Sequence, residues 1–372
     1  MTEARGRIPV TLVTGFLGSG KTTFINKALR APELSRTVVV VNEFGEVGLD
    51  HQLFASSSDA VIVLENGCLC CTVRSDLVST LNNLFRDRQA GRIGFDHVVI
   101  ETSGLAEPGP VLQAFLSEPT LDGLFRVAGV VTLVDAVNWE ATTEAHDEAV
   151  RQVALADRIL ITKLDLVEGG QAAPELHLTG ALRRCNPTAE IAPVEWSTAI
   201  IAALLRAPGF DAADARANPL PWLAIESYET YPGRDKELAA HDHAAAMSDK
   251  GIESFVLTRS APLSREELQF LLDGITQNLG SGLLRVKGLV NVADEPGRPA
   301  VIQGVQHLLH TMTWLESWPD ADTRTRMVFI TQGIVRDRLK EMIELLDRMS
   351  ARTFAARERA KLARAAAGRN TR

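Results

Sequence analysis

The sequence predicts an α/β fold: a mostly parallel sheet with helices on both faces, followed by a smaller α+β domain. Three observations predict it. Apolar runs of strand character alternate with helical patterns through roughly the first 200 residues. Those runs end at polar residues, as buried parallel strands do where their carboxyl ends meet ligand. From Gly251 onward the order becomes strand, helix, paired strands and a last helix, without the earlier alternation. A length of 372 residues accommodates two domains, and a hydrophobic content of 45% supplies their cores.

Residues 8–14, IPVTLVT, form the first strand. Residues 15–22 follow as GFLGSGKT, an unbroken G-x-x-x-x-G-K-[ST]. Phe24, Ile25, Ala28 and Leu29 come next at helical spacing. Strand, glycine loop and helix together make a phosphate cradle, so the first domain reads as a P-loop NTPase. The glycines let the backbone turn tightly and aim N–H groups inward, and the helix N-terminus adds positive potential. The expected phosphate-binding set is Gly15, Gly18, Ser19, Gly20, Lys21, Thr22 and Thr23. Lys21 is expected on the β/γ-phosphates and the Thr22 hydroxyl on Mg²⁺. A chance glycine turn before a helix is the bland alternative, and the agreement of motif with context disfavours it.

Residues 37–41, 60–64, 95–100, 129–134 and 158–162 read as further strands. Residues 76–86 read as a helix, with Leu77, Leu81, Leu84 and Phe85 on one face. Two strand ends carry chemistry. Glu101 is followed by Gly104 in an E-x-x-G arrangement, a nucleotide switch with glutamate for aspartate. Glu101 is expected near Mg²⁺ and the Gly104 N–H near the γ-phosphate, completing a catalytic set of Lys21, Thr22, Glu101 and Gly104. Residues 162–165, TKLD, are similar to the N-K-x-D guanine signature with threonine for asparagine. The Asp165 carboxylate can accept two hydrogen bonds from guanine, which adenine does not offer. The Lys163 stem can lie over the base, and Thr162 completes the set. An ordinary strand end with solvated Lys and Asp remains the alternative. Ser197 and Thr198 are candidates for a further loop closing on the base.

Between these motifs lie two unusual segments. Residues 41–50, VNEFGEVGLD, hold two glycines and three carboxylates where a switch loop would fall; a solvated acidic turn is the alternative. Residues 65–72, ENGCLCCT, gather three of the four cysteines, Cys68, Cys70 and Cys71. A straight strand would split them between its faces, whereas a turn at Asn66–Gly67 lets the sulfurs converge. Three thiolates suit Zn²⁺ or another soft-binding divalent ion, and leave a position for water, a mobile carboxylate or a recipient protein. A redox pair or inert buried thiols are the alternatives. Cys185 stands apart and reads as core.

The formal net charge of −8 argues against a general nucleic-acid binder. No apolar run approaches the roughly 20 residues of a membrane span. The first residues lack a signal-peptide pattern. The expectation is a cytoplasmic protein with no nucleic-acid or membrane partner.

The motifs at 15–23, 42–46 (NEFGE), 66–71 (NGCLCC), 101–108 (ETSGLAEP), 134–136 (VDA) and 162–165 stand in an order and spacing that resembles the CobW family of metal-chaperone GTPases. That family is related to the urease- and hydrogenase-maturation GTPases. The likeness continues through LRVKG at 284–288 and QGVQ at 303–306, so it spans nearly the whole chain. The resemblance implies GTP hydrolysis coupled to delivery of a metal, zinc foremost and cobalt or iron also, to a client metalloprotein. It implies Cys68, Cys70 and Cys71 as metal ligands, and Glu46 as a switch carboxylate that helps hold Mg²⁺ or the transferred ion. Many members carry a long histidine-rich stretch between their domains; here only His241 and His243 stand there. No arginine finger or water-positioning glutamine is evident, so slow intrinsic turnover of GTP to GDP, accelerated by a client or by homodimerisation, is expected.

Residues 1–218 are therefore assigned to the GTPase domain, 219–250 to a linker rich in Pro, Ala, Asp and His, 251–350 to the α+β domain and 351–372 to a basic tail. In the second domain, residues 252–258 and 327–331 read as strands. Ser264 with Glu267 reads as a capping box. Residues 282–292 and 299–309 read as paired strands about a turn at 294–297, and 337–348 as an amphipathic helix. His307 and His310 are minor ligand candidates, and Trp314 and Trp318 read as core or interface. Two other functions compete with metal delivery: a GTP-binding metal sensor or scaffold without transfer, and a small-molecule P-loop kinase.

Overall fold

The computed structural model describes residues 6–42, 61–64, 71–167, 172–211, 218–224, 251–306, 308–309, 312–334, 341, 344–345 and 348–349. The chain divides into two compact units, Met1–Lys250 and Gly251–Arg372.

The first unit is a parallel sheet wrapped by helices. Its elements run β1 (Ile8–Gly15), α1 (Lys21–Ala28), β2 (Thr37–Asn42), β3 (Val61–Leu64), α2 (Cys71–Gln89), β4 (His97–Thr102), α3 (Gly109–Ser117), α4 (Pro119–Leu124) and β5 (Phe125–Asp135). Then come α5 (Trp139–Ala145), α6 (Asp147–Ala154), β6 (Arg158–Thr162), α7 (Ala172–Cys185), β7 (Glu190–Pro193), α8 (Thr198–Arg206) and α9 (Pro219–Leu223). The seven strands lie in the order β3-β2-β4-β1-β5-β6-β7. Every described pairing in it is parallel. β1 lies centrally, flanked by β4 and β5, and the strand order departs in opposite directions from it. The crevice at the carboxyl end of β1 is thus the topological switch point where ligands bind in open α/β sheets.

The apolar runs explain the packing. β4 is buried along its whole length, Glu101 and Thr102 included. Val13, Val39, Val99, Val131 and Leu160 cover one sheet face, against Phe24, Ile25 and Ala28 of α1 and Ile201 and Leu205 of α8. α1 exists because those three residues fall on one stripe beside the sheet, giving its eight residues tertiary support that a helix so short lacks alone. Among the described residues, no helix is long and apolar enough to cross a membrane. The first five residues of the expected linker form α9, capped by the Asn218 side chain, which accepts from the Leu220 N–H at 3.0 Å.

The second unit contains β8 (Ile252–Arg259), α10 (Arg265–Leu279), β9 (Leu283–Val290), β10 (Ala300–Val305), β11 (Leu308–Leu309), β12 (Thr313–Trp314) and β13 (Thr325–Gln332). The sheet runs β11-β10-β9-β13-β8, with β12 also on β10, and its described pairings are antiparallel. Leu268, Leu271, Leu272 and Ile275 of α10 join Phe255, Val286 and Phe329 in its core. The capping box forms as read: the Ser264 hydroxyl accepts from the Glu267 N–H at 3.1 Å and the Glu267 carboxylate accepts from the Ser264 N–H at 2.8 Å. One expectation fails. The run at 299–309 is two strands, because the backbone folds back after Val305 through Gln306 at φ 54°. The close approach of β11 depends on Gly304, where a Cβ would lie 2.5 Å from Leu309 Cδ2. Gln306 is not a usual left-handed residue, so the turn left no signal in the sequence. Trp314 packs on this core beneath the Arg265 guanidinium, 5.2 Å from its ring centre.

Candidate functional site

The glycine loop takes the shape its sequence predicts. Gly15, Gly18 and Gly20 have φ of 141°, 74° and 93°. A Cβ on Gly15 would lie 2.3 Å from the Leu133 carbonyl of β5, so only glycine lets the loop leave the sheet here. Lys21 is buried, and its ammonium donates to the carbonyls of Gly15 at 2.9 Å and Phe16 at 3.1 Å. The lysine is therefore folded over the loop that it would straddle with phosphate. The buried Ser19 hydroxyl has no hydrogen-bond partner among the described residues. Thr23 is exposed on the first turn of α1.

Across the crevice, the Thr22 hydroxyl donates to Glu101 Oε1 at 2.8 Å. Glu101 is buried at the carboxyl end of β4, and one residue on the Thr102 hydroxyl donates to Thr14 at 2.8 Å. These contacts fix α1 and β4 side by side. They also put two hard oxygen donors together beside the phosphate cradle, a donor set that suits Mg²⁺. Gly104 lies against the loop: a Cβ there would be 2.7 Å from the Leu17 nitrogen and 2.8 Å from its Cα. The structure therefore brings Lys21, Thr22, Glu101 and Gly104 into one corner.

The second motif gathers at the ends of β5 and β6. The Thr162 hydroxyl is buried and directed at the carbonyls of Ser19, 3.0 Å, and Val134, 3.1 Å, fastening the glycine loop to the sheet. Lys163 follows in the left-handed region at φ 60°. Its ammonium donates to Asp135 Oδ2 at 2.7 Å. Asn138 donates to the same carboxylate at 2.8 Å, and the Val137 N–H donates to it at 2.9 Å. Burial pushes the Asp135 carboxyl up, but these three donors outweigh it and hold it below the usual carboxylate range. Asp165 is exposed on the short turn Leu164–Leu166.

Several contributors escaped sequence reasoning. Asp135 anchors Lys163, a role that the sequence did not show although 134–136 stood among the motifs of the resemblance. Trp196 borders the glycine loop, 3.9 Å from where a Gly20 Cβ would lie, with Lys27 6.0 Å from its ring centre. Ser197, the neighbouring candidate, precedes the first turn of α8, where Thr198 begins the helix.

Of the metal candidates, Cys68, Cys70 and Glu46 lie outside the described residues, as do His241, His243, His307 and His310. Cys71 is the first residue of α2. Among the described residues no group of three or more His, Cys, Asp and Glu could hold a metal ion. Cys185 is core as expected: its thiol donates to the Val150 carbonyl at 3.5 Å, and burial pushes it up to about 12.

A glycine cradle at a switch point, a lysine folded over it and a threonine–glutamate pair at its rim define a nucleotide-binding P-loop protein. Residues 9–193 match the model of the CobW/HypB/UreG nucleotide-binding domain. Residues 252–346 match the cobalamin synthesis protein CobW C-terminal domain. The zinc chaperone YjiA of Escherichia coli K12 is 33% identical over 323 residues, which are 87% of this chain and 93% of that protein. The zinc chaperone CobW of a Sinorhizobium species is 30% identical over 80% of this chain and 86% of its own length. The crystal structure of zinc-bound YjiA GTPase from E. coli superposes with a TM-score of 0.62 at 26% identity, covering 92% of this chain and 99% of that one. The chain belongs to the CobW/HypB/UreG family.

Proposed function

We propose that this chain is a P-loop GTPase that carries a divalent metal, zinc foremost, on Cys68, Cys70 and Cys71, and delivers it to a client metalloprotein under control of the bound nucleotide. The family and its zinc-chaperone relatives support the coarser reading of a GTPase metallochaperone. One geometric observation carries the finer reading. Leu64, Asn42 and Thr102 are lateral neighbours at the carboxyl ends of β3, β2 and β4. At the usual spacing of about 4.8 Å per strand, Leu64 is roughly 10 Å from Thr102. The cysteine segment follows β3 and the 42–46 segment follows β2, the strand that lies between β3 and the one ending in Glu101 and Thr102.

In this reading the loop N–H groups and Lys21 hold the phosphates, and Asp165 selects guanine while Asp135 orients Lys163 along the base. Thr22 and Glu101, now hydrogen-bonded to each other, are the residues that would hold Mg²⁺. When bound, Mg²⁺ neutralises charge building on the phosphate oxygens. Gly104 presents its N–H to the γ-phosphate, a contact that is lost when that group leaves. Glu46, four residues beyond Asn42 in the sequence, is proposed to help hold Mg²⁺ or the cargo ion. By linkage, whatever factor the nucleotide applies to metal affinity, metal applies to nucleotide affinity.

The test is calorimetric titration of Zn²⁺ into the protein bound to GDP and, separately, to a non-hydrolysable GTP analogue. The two affinities are expected to differ by about 5- to 150-fold. Equal affinities end the coupling. Replacing Cys68, Cys70 and Cys71 with serine is expected to abolish tight binding; survival of tight binding would move the cargo site elsewhere. Transfer of zinc to a purified apo-client separates delivery from sensing alone.

A further inference from the structure

α6 touches the glycine loop and the Glu101–Ala106 segment at once. His146, just before its first turn, lies ring to ring with Phe16, centroids 4.6 Å apart. Arg151 is ion-paired with Glu107. Gln152 is almost fully buried, and its amide Nε2 donates to two carbonyls of that segment, Gly104 at 3.1 Å and Ala106 at 3.0 Å. Its side chain borders a cavity that also reaches Phe16 and Leu17 of the loop and Asp135 and Asn138 of the base end. Its Oε1 is buried with no hydrogen-bond partner among the described residues.

The helix is itself held firmly. The Thr132 hydroxyl of β5 donates to the Gln152 carbonyl at 3.0 Å. The Asn186 amide donates to the carbonyls of Val153, Ala154 and Ala156 at 2.8, 3.2 and 2.9 Å, closing the carboxyl end of α6. A side chain so anchored is a fixed reference point for a loop. Both carbonyls it grips belong to the stretch in which Gly104 packs on Leu17. A glutamine amide is needed for this: it reaches two acceptors with two N–H bonds, which a hydroxyl or a carboxylate does not supply.

We propose that Gln152 is a positioning residue for the triphosphate. By clamping the carbonyls of Gly104 and Ala106, it fixes where the Gly104 N–H stands relative to the glycine loop. It acts on the γ-phosphate through Gly104 and touches no phosphate itself. The inference rests on the reading of Gly104 as the γ-phosphate sensor. Its signature is selectivity: a diphosphate, which has no γ-phosphate to meet Gly104, does not feel the clamp, whereas a triphosphate does.

The experiment uses the full chain with Mg²⁺ and compares Gln152→Met, similar in volume but without donors, with Arg151→Ala, which removes the neighbouring ion pair at a half-buried site. GDP affinity is expected to stay within about twofold of the parent, while affinity for the non-hydrolysable GTP analogue and kcat fall about tenfold in Gln152→Met. Arg151→Ala is expected to shift the same ratio by about threefold. The proposal is overturned if the ratio of triphosphate to diphosphate affinity is unchanged, or if both affinities fall together as a general loss of structure would dictate. If Gln152→Met does not fold, Gln152→Ala, which also removes both donated bonds, decides by the same ratio. Gly104→Ala, which forces a Cβ against Leu17, separates the two layers. If it leaves the ratio untouched, the sensor reading fails; if it changes the ratio and Gln152→Met does not, only the clamp fails.

Discussion

The two ends of the parallel sheet handle buried polar groups in opposite ways. At the amino end, His97 is fully buried between threonines of the flanking strands. The Thr11 hydroxyl donates to the Leu205 carbonyl at 2.8 Å, so its oxygen accepts from His97 Nε2–H at 3.0 Å. That assignment leaves Nδ1 to accept from the Thr37 hydroxyl at 3.3 Å. Each ring nitrogen has a partner and the network is closed. At the carboxyl end, Lys21 curls onto carbonyls of its own loop, Thr22 leans on Glu101, and the Ser19 hydroxyl is buried with no partner among the described residues. Those contacts are ones a bound phosphate and cation would replace. Closed networks rigidify, and open ones are places where a ligand completes the bonding.

Mutations should separate the ends cleanly. The largest effect belongs to Lys21→Ala, which is expected to lower GTP turnover about 1,000-fold while the melting temperature moves little, since the loop carbonyls it releases can meet water. Phosphate-release kinetics beside a thermal melt would check this; a collapse of the fold instead would mean that Lys21 is a structural residue after all.

His97 gives the reverse pattern. Burial, chiefly, holds its imidazole down to about 4 against an ordinary 6.5. Above pH 6.5 both folded and unfolded chains carry it neutral. Between 6.5 and 4 the unfolded chain takes up a proton that the folded chain refuses, so stability declines as pH falls, by about 3 kcal/mol in all, and below 4 this decline stops. Denaturant unfolding of His97→Gln across that window should show a flatter pH dependence, with nucleotide affinity at pH 7 unaltered. A parallel loss of nucleotide affinity would break the separation of the ends.

The smallest of the three is Asp165→Ala. It should cut the preference for GTP over ATP about 30-fold, chiefly by weakening GTP, because one carboxylate stops accepting from guanine. Competition binding with both nucleotides measures it. An unchanged preference would assign the discrimination to the Trp196 side of the crevice.

The glycine loop was legible because its residues are consecutive. Gly15 to Thr23 form one turn and the helix that follows, and a local backbone demand for positive φ leaves glycines in the sequence. Glu101 and Thr162 were legible as strand ends once the apolar runs were counted. The Gln152 clamp was not. Gln152 stands 48 residues from Gly104 and looks like any polar residue in an amphipathic helix. The turn at Gln306 was hidden for a related reason, since its left-handed backbone is supported by pairing across β10 and β11 and not by its own side chain.

By itself, then, the sequence determined six of the seven strands of the α/β unit, the glycine loop with the helix after it, and the α+β character of the second unit. Those features arise from short-range periodicity and glycine stereochemistry, which neighbouring residues specify. Only the tertiary structure decided that Thr22 meets Glu101, that Asp135 holds Lys163, and that α6 grips the loop after β4. Such contacts join residues dozens of positions apart, and they depend on which strands lie side by side, a choice that the summed burial of the whole sheet makes and no single segment records.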